Sequence, residues 1–297
     1  MIINPPTWPN GAKCAVAFSF DVDADSVVHN TKRNMISHHQ HEIAQMRYDP
    51  FVALPRLADL FGSREIPVTW FVPGWVIETY GSQLEILLKF KHEIAHHGYF
   101  HESPNKQNFE QEKDTLYSGI ERIKSFKGSK PVGYRAPYYD ISENTFNLLI
   151  EVGMKYDSSL FADDIPIIID NGSGSIIELP VPATIDDYNQ YVSSKAFDYL
   201  MKVSSPQTAL EVYKAEFDAM WEFGGLWVGV WHPAVSGRPA QSIAIKNLID
   251  HMLNKGKVWF ATHEEIANHV ENLIKTKKWE PRRENMPFYK KPVLEME

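Results

Sequence analysis

Apolar residues recur along the chain in short runs that polar or turn-forming residues separate. Near-continuous apolar runs are typical of strands that are buried on both faces of a parallel sheet. The pattern therefore predicts strands at Ala15–Phe20, Val68–Val72, Glu93–His96, Val132–Tyr134, Leu226–Trp231 and Val258–Ala261.

Amphipathic segments lie between these runs, with apolar residues at the spacing of one helix face. They predict helices at Pro50–Leu60, Asn108–Ile123, Glu143–Val152, Ala209–Trp221, Ile243–Leu253 and Glu264–Ile274. Strands that alternate with helices indicate βα units, and the chain length suits one barrel built from them. We predict an α/β fold, a closed or nearly closed (β/α) barrel.

Two long stretches interrupt this alternation. Ala24–Asp49 is polar and histidine-bearing and follows the first strand, while Ser158–Ser194 has short β-like runs around a glycine-rich turn. Long insertions at the ends of barrel strands usually shape an active site. No repeat or change in composition marks a boundary, so we predict a single domain over residues 1–297. We expect the charged tail after Lys277 to wrap a neighbouring surface or a partner subunit.

Composition narrows the classes of function. A formal net charge of −8 without a basic run argues against binding of nucleic acid or of an anionic membrane surface. The single cysteine, Cys14, cannot form an internal disulfide. The N-terminus shows no secretory signal pattern, and no stretch approaches the roughly 18–20 apolar residues of a membrane span. We therefore predict a cytoplasmic protein, and its size and tail are compatible with a homo-oligomer.

Three carboxylates, those of Asp21, Asp23 and Asp25, follow the first predicted strand. The end of that strand would place them at the mouth of the barrel, where barrel enzymes keep their chemistry. Alternation along an extended chain would turn Asp21 and Asp23 to the same side. The alternative is a solvated turn, because aspartate is common in turns.

Two histidines, His97 and His101, follow the predicted strand Glu93–His96. Histidines four residues apart share a face where the segment is helical, and imidazole suits zinc and similar metals. A pair of histidines also arises by chance, so the motif alone is not specific. Together with Asp23 it forms a set of two histidines and a carboxylate, which leaves positions open for water and substrate.

A rival histidine cluster lies in the first insertion and contains His29, His38, His39 and His41. No strand end and no carboxylate of fixed geometry supports it as a metal site. We interpret these histidines as surface or lid residues.

Two further strand ends carry polar residues, Arg135 and His232. The planar guanidinium of Arg135 can hold and orient a carboxylate, although an ordinary structural ion pair would use it in the same way. The imidazole of His232 is a candidate general acid, with a purely structural histidine as the alternative.

Taken in order, these motifs resemble those of the polysaccharide deacetylases, the NodB-homology family. That family has two aspartates after a strand, then His-x-x-x-His, then Arg-x-Pro-aromatic, and a late strand that ends in histidine. The matching residues are Asp21 and Asp23, His97 and His101, Arg135–Tyr138, and Trp231–Pro233. Four ordered motifs at strand ends are far more specific than any one of them.

The resemblance implies a distorted (β/α) barrel and a metal-dependent hydrolase of non-peptide C–N (amide) bonds. In such enzymes one divalent metal ion, usually zinc, is bound by an aspartate and two histidines. Carried over, the roles are general base for Asp21, metal ligands for Asp23, His97 and His101, orientation of the base for Arg135, and general acid for His232. A backbone N–H near Tyr138 would complete the oxyanion site.

The chain departs from the commonest family pattern, in which the two aspartates are adjacent and followed by glycine. Here Val22 separates them. This resembles a subgroup that contains cytosolic amide, imide and ureide hydrolases and a peptidoglycan-deacetylase-like branch. Some ureide-cleaving relatives lack the metal ligands, whereas this chain keeps all three. The family's aspartate that supports the general acid has two candidates here, Asp186 and Asp187.

The absence of an export signal and the long first insertion favour a small soluble substrate, and a cyclic imide is the leading prediction. The alternative is an N-acyl group on a sugar of a polysaccharide such as peptidoglycan or chitin. A non-catalytic binding protein and a metal-free hydrolase are further alternatives, but the complete set of ligands disfavours both. The candidates to line an apolar pocket are Trp75, Tyr99, Tyr138, Tyr139 and Trp231, although such aromatics often belong to the core.

Overall fold

The computed structural model describes residues 1–195, 198–201 and 204–289. Within these ranges the strands are β1 (Cys14–Asp21), β2 (Val68–Val72), β3 (Glu93–His96), β4 (Gly133–Tyr134), β5 (Tyr156–Asp157), β6 (Ile167–Asp170), β7 (Ser175–Glu178), β8 (Val192–Lys195), β9 (Asp198–Met201), β10 (Leu226–Trp231), β11 (Val258–Phe260) and β12 (Arg283–Asn285).

Helices cover the outside of this sheet. They are α1 (Ser26–Thr31), α2 (Gln40–Met46), α3 (Leu54–Gly62), α4 (Gly74–Leu84), α5 (Phe109–Lys127), α6 (Thr145–Glu151), α7 (Asp187–Tyr191), α8 (Pro206–Phe223), α9 (Pro233–Ser236), α10 (Pro239–Lys255) and α11 (His263–Lys275). Among the described residues, no helix combines the length and the apolar character that crossing a membrane would require.

The strands form a barrel around β1. One edge of β1 pairs in parallel with β10, and the other edge pairs with β11 near its start and with β2 near its end. Parallel pairing continues from β2 through β3, β4 and β5 to β7. A single parallel bridge between Asp186 and Val230 of β10 then closes the circle. The α/β fold and the distorted barrel are therefore confirmed.

The predicted strands are all present, and five of the six predicted helices agree within a few residues. The first helix differs, because a π-helical turn occupies Asp49–Ala53 and α3 begins only at Leu54. Within the second insertion, β6 and β7 form an antiparallel hairpin around the turn that the sequence predicts there. The two-residue strand β5 was missed, because so short a run carries no periodicity.

Alternation along β1 separates the core from the site. Phe18 and Phe20 pack outwards under the helices, and the ring of Phe20 stacks on that of Trp70 with centroids 4.8 Å apart. Ser19 and Asp21 point into the barrel, where both accept hydrogen bonds from Arg135. The same strand therefore contributes to the apolar core with one face and to the polar interior with the other.

The C-terminal tail packs against its own chain. Strand β12 extends the sheet by pairing with β6, and the indole N–H of Trp279 donates to the carbonyl of Asn4 at 2.9 Å. The expected neighbouring surface thus belongs to the same chain: it is the β6–β7 hairpin for β12 and the N-terminal segment for Trp279. The last eight residues lie outside the described part. Homo-oligomerisation and the single-domain organisation stay predictions.

Close packing of α5 on β3 allows a direct test of the fold. A Cβ on Gly119 would lie 2.2 Å from Nε2 of His96 and 2.9 Å from the carbonyl oxygen of Gly98, whereas a Cβ on Gly81 in α4 would meet no atom within 4 Å. We expect Gly119→Ala to lower the free energy of unfolding by about 1–3 kcal/mol through overpacking.

The matched variant Gly81→Ala should raise the free energy of unfolding by about 0.5–1 kcal/mol, because it only removes the flexibility of glycine in a helix. Urea denaturation of both variants measures the difference. Equal stability of the two proteins would contradict the packing described for α5.

Candidate metal centre and active site

The proposed site residues come together at one end of the barrel. Asp21 ends β1 and Asp23 follows it, while His97, Arg135 and His232 come directly after β3, β4 and β10. The carboxyl ends of parallel strands meet at the same edge, so residues distant in the sequence become neighbours there. All of these residues are buried.

Asp23, His97 and His101 form a compact group. Nε2 of His97 lies 3.5 Å from Oδ1 of Asp23, and Nε2 of His101 lies 3.5 Å from Oδ2 of the same carboxylate. One ligand atom from each residue falls within 4.8 Å of the others. The sequence prediction thus selected three side chains that share one centre.

A hydrogen bond to the backbone fixes the orientation of the His97 ring. Its Nδ1 lies 2.8 Å from the carbonyl oxygen of Arg135. Because a carbonyl only accepts, Nδ1 carries the proton, and the unprotonated Nε2 faces the centre of the trio. This second interaction is typical of metal-binding histidines, whose other ring nitrogen usually donates to a fixed acceptor.

The segment from His97 to His101 is not helical, so the condition under which their spacing gives a shared face is not met. Gly98 and His101 both have left-handed backbone angles, with φ of 73° and 56°. This tight loop turns the second imidazole back towards the first. The amide of Asn30 on α1 holds the loop by donating to the carbonyl oxygen of His101 at 2.8 Å.

These residues fit a bound cation. Oδ1 of Asp23 and Nδ1 of His101 are buried and have no hydrogen-bond partner in the described protein. Burial raises the pKa of Asp23, and the nearby carboxylate of Asp21 adds to this effect. A divalent ion would satisfy the buried oxygen of Asp23, and two imidazoles with one carboxylate are ligands that zinc accepts.

A second cluster of possible metal ligands contains Asp186, Asp187 and His232. One ligand atom from each of them also lies within 4.8 Å of the others. The polar atoms of its two carboxylates already accept hydrogen bonds, which distinguishes it from the trio around Asp23. Asp187 accepts from the backbone N–H of His232 at 2.9 Å and from the hydroxyl of Ser236 at 2.7 Å. Asp186 accepts from Tyr139 at 2.6 Å.

The carboxylate of Asp21 is held by a buried arginine. One guanidinium N–H of Arg135 donates to Oδ1 of Asp21 at 2.8 Å, and its Nε donates to the carbonyl of Ser158 at 2.9 Å. Burial by itself would raise the pKa of Asp21, but the charge of Arg135 and the nearby His97 hold it below its ordinary value. Asp21 is therefore ionised and able to accept a proton.

His232 is paired with one of the two aspartates named from the sequence. Its Nδ1 lies 2.7 Å from Oδ1 of Asp187, and its Nε2 lies 3.9 Å from Oδ2 of Asp23. Burial would lower the pKa of His232, but the ion pair and hydrogen bond with Asp187 outweigh it and raise the pKa to about 10. Asp187, rather than Asp186, is the residue that supports His232.

A cavity of about 290 Å³ opens onto the site. Its walls include the proposed acid, base and ligands together with Tyr138, Tyr139, Asp186 and Tyr188. The ring of Tyr138 meets that of His101 edge to face at 4.5 Å, and the ring of Tyr188 meets that of His232 in the same way at 4.2 Å. These aromatic rings give the polar site flat apolar walls.

Three of the aromatic residues expected in the pocket do not line it. Trp231 is fully buried on the outer side of the sheet beside Phe18, and Trp75 packs edge to face on Phe100 with centroids 4.9 Å apart. Tyr99 donates its hydroxyl to Glu78 at 2.7 Å. Alternation along β10 turns Trp231 away from the mouth, whereas Trp75 lies on α4 and Tyr99 lies in the loop after β3.

The rival histidines lie at the surface, as predicted. His38 and His41 are exposed, and His39 contacts only Glu42 among the nearby carboxylates, at 3.2 Å. His29 contacts Asp25 at 3.3 Å, beside the site rather than in it.

Two residues of the site escaped the sequence reasoning, Asp49 and Tyr188. Asp49 ends the first insertion, is fully buried, and accepts a hydrogen bond from the backbone N–H of Ala24 at 2.9 Å. This contact holds Ala24 at a φ of 45°, an unfavourable angle for alanine, directly after Asp23. No motif pointed to either residue, because Asp49 acts through its contact with Ala24 and Tyr188 through its contact with His232, and both partners are distant in the sequence.

Comparisons with known proteins agree with these motifs. Residues 48–156 match a family model described as polysaccharide deacetylase. A peptidoglycan deacetylase of Helicobacter pylori (strain ATCC 700392 / 26695) is 30% identical over 245 residues, which cover 73% of this chain and 83% of that protein.

Solved structures show the same fold. The crystal structure of a Mycobacterium smegmatis protein assigned to the polysaccharide deacetylases has a TM-score of 0.88 and 36% identity, and the match covers 97% of this chain and 99% of that one. An allantoinase, Puue, has a TM-score of 0.79 and 20% identity, with 91% of this chain and 94% of its own covered. At that identity the likeness shows the fold alone.

Asp23, His97 and His101 predict that the protein binds a metal ion and that removal of one imidazole weakens this binding. We expect the purified protein to carry about one divalent ion per chain and His101→Ala to lose most of it, because one of three protein ligands is gone. Elemental analysis by mass spectrometry measures the metal content. The exposed His41→Ala is the matched control and should keep the ion; equal metal content in both variants would show that the trio is not the site.

Proposed function

Because this chain belongs to the polysaccharide deacetylase family, we propose that it removes the acyl group from an N-acylated sugar by hydrolysing the amide C–N bond. The observation that carries the proposal is the meeting of an ionised, arginine-held Asp21, the Asp23–His97–His101 trio and a buried His232 at one cavity. A base, a cation site and an acid around one pocket are the groups that amide hydrolysis needs.

The choice of a sugar amide departs from the leading expectation of a cyclic imide. The comparisons offer no support for a cyclic imide and favour the alternative, since the curated relative with 30% identity is a peptidoglycan deacetylase. The shape of the surface supports the same choice. An open polar groove of about 820 Å³ adjoins the site cavity at Tyr138, which lines both. Such a groove leaves room for further sugar units on the Tyr138 side of the one that reacts.

In this proposal Asp23, His97 and His101 hold one divalent ion, with zinc as the first candidate. When bound, such an ion polarises a carbonyl group and lowers the pKa of a coordinated water. The protein supplies the rigid frame: the carbonyl of Arg135 fixes His97, and Asn30 fixes the loop of His101.

Asp21 is the proposed proton acceptor. Its Oδ1 is occupied by the guanidinium of Arg135, while its Oδ2 lies 3.9 Å from Nε2 of His97 and faces the cavity. The free oxygen of the carboxylate is thus the one that can take a proton from the attacking water. Arg135 keeps the carboxylate from rotating, so the acceptor oxygen stays aimed at the reacting atoms.

His232 is the proposed proton donor to the departing nitrogen. Asp187 binds its Nδ1 and therefore leaves the Nε2–H directed to the cavity. An amide nitrogen is a poor leaving group until it is protonated, which is why a charged, oriented imidazole is useful there. The backbone N–H near Tyr138 remains a prediction for the oxyanion donor, as do the cytoplasmic location and a homo-oligomeric state.

Substrate choice can be tested by direct competition between the two classes. We expect the metal-loaded protein to release acetate from N-acetylglucosamine tetramers and to leave succinimide-type rings intact. Acetate release and ring opening are both followed by chromatography, with Asp23→Ala as the inactive control. Ring opening without any acetate release would overturn the proposed substrate class.

The proposed roles of Asp21 as base and His232 as acid predict that variants of either residue lose turnover but keep the metal ion. We expect Asp21→Asn and His232→Asn each to lower kcat by about 10²–10⁴-fold, the usual contribution of a general acid or base. Metal content should stay that of the wild type, since neither residue belongs to the trio. Asp218→Asn, on the outer helix surface, is the control. Near-normal kcat in Asp21→Asn would contradict its role.

A further inference from the structure

A chain of buried hydrogen bonds continues from the active site into the barrel. The second terminal nitrogen of Arg135 lies 3.4 Å from Nε2 of His263, the first residue of α11. Because a guanidinium has donors only, Nε2 must be the acceptor. His263 is therefore neutral and carries its proton on Nδ1. Burial and the charge of Arg135 both hold the pKa of His263 well below its ordinary value.

The same polarity continues through Thr69 on β2. Nδ1 of His263 donates to Oγ1 of Thr69 at 3.0 Å, and the backbone N–H of His263 donates to the same oxygen at 2.9 Å. With both its lone pairs in use, the hydroxyl of Thr69 donates its own proton to Oε2 of Glu93 at 2.9 Å. Every proton in the chain therefore points away from Arg135 and towards Glu93.

Glu93 ends the chain as a fully used acceptor. Its Oε2 also accepts from the backbone N–H of Glu264 at 2.9 Å, and its Oε1 accepts from the hydroxyl of Tyr156 at 2.8 Å. Burial raises the pKa of Glu93 to about 7, although these hydrogen bonds favour its ionised form. A buried network in which each member is satisfied has one rigid arrangement.

The guanidinium plane of Arg135 is fixed on one side by this chain together with Ser158, which accepts from Nε at 2.9 Å and from the second terminal nitrogen at 3.1 Å, and on the other side by Asp21. The nitrogen that donates to Asp21 and the nitrogen that donates to His263 are two arms of the same planar group. The ring of Phe71 packs against both partners, 4.0 Å from the guanidinium carbon and edge to face with His263. A rotation that loses the contact with His263 would also move the arm that holds Asp21.

We propose that Thr69 and His263 are positioning residues of the hydrolytic reaction, which fix the plane of Arg135 and through it the carboxylate of Asp21. This inference rests on the proposed role of Asp21 as proton acceptor. The start of α11 is itself rigid, because Thr262 and Glu265 form a capping box around it. Neither Thr69 nor His263 lines the cavity, so both act through Arg135 and not on the substrate.

Thr69→Val tests the inference with little change in volume. The variant removes the acceptor that keeps the proton on Nδ1 of His263, and we expect kcat on N-acetylglucosamine tetramers to fall about 10- to 100-fold, as for partners one step behind a catalytic group. KM should not change, because no contact with the substrate is lost. Thr69→Ser keeps the hydroxyl and should restore most of the turnover.

Thr145→Val is the matched control. Thr145 is buried and donates its hydroxyl to Glu112, so the variant loses the same kind of threonine–glutamate hydrogen bond on the outer side of the barrel. Its kcat should equal that of the wild type. If Thr69→Val and Thr145→Val show the same kcat, Thr69 is merely structural and the proposal is wrong.

A measurement independent of turnover is available in the wild-type protein. Nitrogen-15 NMR of labelled histidines, with the signal of His263 assigned by its loss in His263→Gln, should show a neutral ring protonated on Nδ1. A ring that is charged or protonated on Nε2 would overturn the proposal, and this result does not require Thr69→Val to fold. Full activity of Asp21→Asn would contradict the proposed function, whereas an inactive Asp21→Asn beside a fully active Thr69→Val would contradict only the positioning role.

Discussion

The structure depends on accommodating two buried carboxyl groups, those of Asp21 and Asp23, inside a barrel. Asp21 and Asp23 are both almost fully buried, and an uncompensated buried carboxylate costs several kcal/mol or takes up a proton. Arg135 compensates Asp21 directly, which lowers the pKa of that carboxyl group. Among the described residues Asp23 pairs with no arginine or lysine, and burial raises its pKa. The two neighbouring aspartates therefore differ: Arg135 holds Asp21 in its ionised form, whereas Asp23 is suited to bind a metal ion.

The barrel provides the partners that these charges need. Parallel strands end at one rim, so Arg135 from one βα unit, behind Asp21, and His232 from another, at the cavity wall, belong to the same site. The pairing of His232 with Asp187 adds a second compensated charge, and this contact lies next to the bridge that closes the barrel between Asp186 and β10. Closure of the fold and completion of the site thus depend on the same short segment.

Much of the fold could be predicted from the sequence, because strands buried on both faces leave near-continuous apolar runs. The strand-end residues Asp23 and Arg135 were found for the same reason. What could not be predicted depends on backbone geometry or on distant contacts. The His97–His101 segment looked helical by spacing alone, yet two left-handed residues form its turn. The buried network through Thr69 follows no motif, because its members lie on separate elements.

The central claim is that Asp23, His97 and His101 surround a single catalytic metal ion. Anomalous diffraction from crystals of the active protein, collected on both sides of the zinc absorption edge, tests it most directly. The account predicts one strong peak between the carboxylate of Asp23 and the Nε2 atoms of the two histidines. A peak at Asp186 and Asp187 instead, or no peak in a protein whose activity chelators leave unchanged, would contradict it.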